Sequence, residues 1–96
     1  MTDKQSIKKF LLGTSIKITA IIDEDTADTA TLTVDDASEI VRLDSQTMTK
    51  EADKVYSGVF QSLSTYVEGD YVYTISVTKS GYTSVVQGKF TLVDQE

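Results

Sequence analysis

The sequence has no cysteine, no histidine, no proline and no tryptophan. Without cysteine there is no disulfide framework and no thiolate chemistry. Without histidine the chain lacks the side chain that most often serves as general base, proton shuttle or transition-metal ligand near neutral pH. Serine and threonine are abundant, but with neither His nor Cys, and no convincing Lys partner, no hydroxyl is activated as a nucleophile. An enzyme is therefore the least expected class. The lack of proline leaves the turns to Gly, Asp, Ser and Thr. The lack of tryptophan weakens a carbohydrate-binding module, whose platforms are usually exposed Trp or Tyr.

Positive charge is scarce as well. Nine Lys and Arg stand against fifteen Asp and Glu, giving a net charge of −6 and a pI near 4.5. The basic residues are scattered: only Lys8 and Lys9 are adjacent, and Arg42 is the single arginine. Nucleic acid and anionic membrane are thereby excluded as expected partners, and bidentate phosphate recognition has little to work with. No segment approaches the roughly 20 apolar residues of a membrane-spanning helix. The start, Met-Thr-Asp-Lys-Gln-Ser, has no apolar signal core, and Phe10-Leu11-Leu12 is too short to supply one. With Met1 as the true start, a chain not exported through a cleaved signal is expected.

What is present reads as one small domain. At 96 residues, 40% hydrophobic and 25% charged, the composition is that of a globular protein able to bury one core. Alternation with period 2 dominates. Ile16, Ile18, Ala20 and Ile22 share one face; Ala30, Leu32 and Val34 share another, with Thr29, Thr31 and Thr33 outward. Tyr71, Tyr73, Ile75 and Val77 form the strongest strand signal, followed by a two-residue Ser80-Gly81 hairpin turn. The last strand runs from Tyr82 to Val93, with Val86, Phe90 and Leu92 expected on one face. Short strands are also expected over Ile7 to Leu12, Glu39 to Leu43 and Val55 to Gln61. Asp44 to Asp53 reads as a crossing loop with Met48 as a plug. About seven antiparallel strands at 8–12-residue spacing, with no helix, give an all-β sandwich or barrel.

Three segments carry a family resemblance: Lys54-Val55-Tyr56-Ser57-Gly58-Val59-Phe60, Glu68-Gly69-Asp70-Tyr71-Val72-Tyr73-Thr74-Ile75 and Gly88-Lys89-Phe90-Thr91-Leu92. With Ile16 to Asp25 and the Thr31-Leu32-x-Val34-x-Asp36 strand, they resemble bacterial and phage immunoglobulin-like domains. There an aromatic-bearing strand precedes a Gly-x-Tyr strand and a terminal Gly-x-Phe strand. The resemblance spans about residues 13 to 93 and implies an immunoglobulin-like β-sandwich. It implies for Tyr71 the role of a tyrosine corner, whose hydroxyl bonds a nearby backbone group. The chain departs from antibody-type domains in having no Cys pair and no core Trp. Domain organisation then reads as an N-terminal arm or edge strand (1–12), the immunoglobulin-like domain (13–93) and a charged tail (94–96).

Candidate sites are few. Asp23, Asp25 and Asp28, with Glu24, form the one acidic cluster dense enough for Ca²⁺, a cation that takes six or more oxygens. The alternative reading, a solvated turn, is the simpler one, and no cofactor is expected. Asp35-Asp36 with Glu39 is a weaker version of the same pattern. Glu68 and Asp70 shape a turn around Gly69; as a glycosidase carboxylate pair they would need a cleft and platform that nothing supplies. For protein contacts the candidates are Phe10, Leu11 and Leu12, as the anchor of an N-terminal arm, and Tyr66 and Tyr82, in or near loops.

These readings converge on a passive role. The first expectation is a structural subunit of a virus particle, phage-like: a capsid decoration, head or tail-associated protein acting through contacts with other protein subunits in a homo- or hetero-oligomeric assembly. The virion is then the expected location. The alternative is an adhesin or cell-surface immunoglobulin-like module that binds a protein or glycan.

Overall fold

The computed structural model describes residues 9–22 and 29–94. All of its regular structure is β: β1 (Lys9–Leu11), β2 (Ser15–Ile21), β3 (Thr29–Asp35), β4 (Val41–Thr47), β5 (Thr49–Ala52), β6 (Val55–Gln61), β7 (Gly69–Lys79) and β8 (Tyr82–Val93). A five-stranded sheet has the order β1-β8-β7-β3-β4, and a three-stranded sheet the order β2-β6-β5. The two pack face to face as a sandwich. All pairings are antiparallel except β1 with β8, which is parallel, with Lys9 opposite Thr91 and Leu11 opposite Val93.

The alternating residues fill the space between the sheets. Ile16, Ile18, Tyr56 and Phe60 come from the small sheet; Ala30, Leu32, Val34, Tyr71, Ile75, Val77, Phe90 and Leu92 from the large one. Each such side chain contributes about 1.5–3 kcal/mol when removed from water. Phe60 joins the layers, with ring centroids 6.1 Å from both Tyr71 and Phe90. Gly58 permits close approach: a Cβ there would lie 2.9 Å from Leu32 Cδ2.

Two polar devices close one end of the sandwich. Asp36 is buried, and its carboxylate accepts from the Ser38 N–H at 2.8 Å, the Ile40 N–H at 3.0 Å and Arg42 Nε at 2.8 Å. This closes the β3–β4 turn, in which Glu39 takes φ +67°. The Tyr71 hydroxyl donates to the Val67 carbonyl at 2.7 Å. Arg42 joins these neighbours, its guanidinium 4.4 Å from the centre of the Tyr66 ring.

Several sequence expectations need correction. The described residues form eight strands where about seven antiparallel ones were expected, and one pairing is parallel. The strand expected at Glu39 starts at Val41, because Glu39 sits in the turn that Asp36 organises. Asp44 to Asp53 is not a loop. It holds the end of β4 and all of β5, and the chain changes sheets between them at buried Met48, whose N–H donates to the Ala30 carbonyl. β5 lies at the rim of the small sheet with every residue exposed, so it carries no alternation to read. Val86 shares a face with Phe90 and Leu92 but not their burial. It lies far along the hairpin, beside the point where β2 ends, and is 57% exposed.

Candidate interaction surface

The long β7–β8 hairpin places the most exposed apolar surface of the described residues. Its strands pair from Gly69 opposite Leu92 to Lys79 opposite Tyr82. The connecting Ser80 and Gly81 have φ of +53° and +84°. Positive φ at both turn positions matches the twist of a tight hairpin, so the ladder stays in register to its tip. β2, in the facing sheet, ends at Ile21. Between it and the hairpin lies a cleft of about 710 Å³ lined by Ala20, Ile21, Ile22, Tyr73, Tyr82 and Val86, among others. Ile21 is 81% exposed and Tyr82 80%, while Val85, on the opposite face of β8, is 58% exposed.

Among the described residues, the outer edge of β8 is also uncovered over most of its length. β1 covers only Thr91 to Val93. Among the described residues no strand pairs with the outer edge of β8 from Tyr82 to Phe90. That edge carries main-chain donors and acceptors, the grouping through which strand addition takes place.

A polar cluster lies on the outer face of the small sheet. Ser57, buried, donates a hydrogen bond to Glu51, and Lys17 Nζ sits 3.6 Å from the same carboxylate. The Ser57 hydroxyl and then the Lys17 charge hold the Glu51 carboxyl below its usual value. The Ser57 hydroxyl is thus committed as a donor to a carboxylate, an arrangement that ties β6 to β5.

The sequence-derived candidates fall in different places. Asp23, Asp25 and Asp28 lie outside the described residues. Among the described residues no group of three or more acidic, His or Cys side chains is placed to hold a metal ion. Asp36 is used up within its turn. Glu68 accepts from the Asp94 N–H at 2.6 Å and Asp70 from the Thr91 hydroxyl at 2.8 Å, so both brace the end of the sheet. Phe10 and Leu12 are half-buried and pack against the core, Phe10 meeting Phe90 edge to face at 6.3 Å, while Leu11 faces outward. Tyr66 is half-buried and stacked on Phe60 at 6.3 Å. Tyr82 is brought together with Ile21 and Val86 at the cleft, while Val85 is exposed on the opposite face of β8; sequence reasoning named none of these three as contact residues. The signal was there in part: adjacent Val85-Val86 puts an apolar side chain on both faces of one strand, which a half-buried strand does not need.

Comparison with protein-family models, with curated proteins and with solved structures finds no match to this chain.

Proposed function

We propose that the protein is a non-enzymatic structural subunit of a virus particle of the phage type, a decoration, head or tail-associated domain of immunoglobulin-like kind that works through protein–protein contacts. The observation that carries this reading is the β7–β8 hairpin, whose Tyr82 and Val86 meet Ile21 of β2 at one cleft, with Val85 exposed on the other face and a strand edge that no described strand pairs with from Tyr82 to Phe90. Apolar surface grouped in this way is a docking surface more often than a solvated one. The immunoglobulin-like assignment is supported by the β8-β7-β3 arrangement facing β2-β6-β5 and by the Tyr71 hydroxyl bonded back to Val67 at the start of the penultimate strand. A sandwich with no cysteine suits assembly in a reducing compartment, where particles are built.

The test is sedimentation of native material from cells that express the gene, followed by mass spectrometry of the large-particle fraction. Co-migration with a megadalton particle at fixed stoichiometry is the expected result. Recovery of the chain only as a free small protein overturns the particle reading. Recovery in a cell-envelope fraction selects the adhesin or surface module in its place.

A further inference from the structure

We infer that the chain forms a two-fold dimer with a second copy of itself, by antiparallel pairing of the open β8 edge from Tyr82 to Gly88. This pairing needs only the edge itself and stands whether or not the chain is part of a particle.

Charge selects the second copy as occupant. A chain of net charge −6 repels its own kind over most of its surface. From Ser80 to Gly88 the sequence Ser-Gly-Tyr-Thr-Ser-Val-Val-Gln-Gly carries no charge at all, and Lys79 and Lys89, at its two ends, are basic. The segment is therefore a window through which two acidic molecules can meet. It also lacks the features that keep natural edge strands apart: within it there is no proline, no inward charge and no bulge in its pairing with β7.

The side chains are self-complementary in one register. A two-fold axis perpendicular to the sheet at Val85 places Val85 opposite Val85 of the second copy. Thr83 then faces Gln87, Ser84 faces Val86 and Tyr82 faces Gly88 of the second copy. Each pair lies on one face, as antiparallel pairing demands. Val85 with Val85 joins β-branched side chains on the outer face. Tyr82 faces Gly88, over which the Tyr73 ring of that same copy already lies, so this pair brings Tyr82 against Tyr73 of the second copy. The result is an isologous interface in which two five-stranded sheets become one continuous sheet. One strand edge is small beside the roughly 800 Å² per partner of a tight complex, so the dimer is a weak one, with a dissociation constant of about 50–500 μM.

Analytical ultracentrifugation of the full chain at about 1 mM and about 10 μM tests this range. Dimer at the higher concentration and monomer at the lower is expected. Val85→Lys sets two ammonium groups opposite one another and should weaken the dimer at least about tenfold. The absence of cysteine makes a second readout clean. A Val85→Cys chain should oxidise to a disulfide dimer in native buffer much faster than a Ser38→Cys chain, whose thiol lies in the exposed β3–β4 turn. Amide exchange over Tyr82 to Gly88 should slow as concentration rises. The inference is overturned if the chain is monomeric at 1 mM and the Val85→Cys chain crosslinks no faster than the Ser38→Cys chain. It is equally overturned if the Tyr82–Gly88 amides are protected to the same degree at every concentration, since the edge is then occupied by the chain itself.

Discussion

The Tyr71 hydroxyl reaches back four residues to donate to the Val67 carbonyl at 2.7 Å. Tyr71 is wholly buried, so its phenol oxygen has this carbonyl in place of water. Burial pushes the Tyr71 phenol up from its ordinary value of 10.0, the nearby Asp36 carboxylate adds to that, and Arg42 opposes it. Tyr71→Phe keeps the ring and loses the bond, and should cost about 1 kcal/mol at neutral pH in urea unfolding. The raised value also makes an alkaline prediction. In the folded chain the phenol keeps its proton at a pH where the unfolded chain has begun to lose it. This share of stability is complete below pH 10 and falls away above it. The Tyr71→Phe chain should therefore show a shallower alkaline decline than the wild type; parallel declines contradict the assignment.

Asp36 sets the acid limb. Burial pushes its carboxyl up, but hydrogen bonds from the Ile40 N–H, from Arg42 and from the Ser38 N–H, together with the Arg42 charge, pull it below its ordinary value of 3.8. A carboxylate held below its unfolded value adds stability above about pH 4, and that stability is lost as pH falls through the folded value. Asp36→Asn removes the charge and, with its oxygen kept on the Ser38 and Ile40 N–H groups, sets its amide NH2 against Arg42, donor against donor, at a cost of about 1–3 kcal/mol near pH 7. The gap between the two chains should narrow steadily below about pH 4. Thermal unfolding from pH 7 to pH 2 measures it, and a gap that stays constant over that range refutes the role given to Asp36.

The alternation of β2, β3 and β7 was legible because each has one wet face and one dry face: Ile16 and Ile18, Ala30 to Val34, and Tyr71 to Val77 point where period 2 puts them. Met48 was legible as an isolated apolar residue in a polar run. The part of β4 beyond Leu43 and all of β5 were not, since stretches with both faces exposed carry no pattern, and Lys50, Glu51 and Asp53 read as loop residues. The open edge was illegible for a different reason. Whether β8 is covered depends on how far β1 runs along it, a pairing between distant parts of the chain that no local pattern encodes. Tyr66 reads as a loop residue, yet its ring is held by Phe60 and Arg42.

Gly58 separates space from sequence pattern. Its position in β6 faces Leu32, which is completely buried and has no room to retreat. Gly58→Ala brings a methyl group to within 2.9 Å of Leu32 Cδ2 and should destabilise the domain by about 1–3 kcal/mol. Pairing it with Leu32→Val tests the cause, because the smaller residue opens space where the methyl falls. The double variant should then lose less than the sum of the two single losses, as expected of residues in contact. Strict additivity in urea unfolding would show that the loss at Gly58 does not come from crowding.

Ile75 and Val86 face each other across the β7–β8 ladder and share one face of the sheet, yet they sit in different surroundings. Ile75 is 3% exposed, covered by the core; Val86 is 57% exposed, beside the cleft where β2 has ended. Sequence alternation treats them as equals, whereas burial does not. Ile75→Ala leaves a cavity and should cost about 2–5 kcal/mol. Val86→Ala removes two methyl groups that water already reaches, and should change the stability of the monomer by less than about 0.5 kcal/mol. The comparison belongs at about 10 μM, a concentration at which a dissociation constant of tens of micromolar or weaker leaves most of the chain monomeric. Losses of similar size in urea unfolding would mean that Val86 is covered in the folded monomer, and the docking surface assigned to the hairpin would lose its apolar centre.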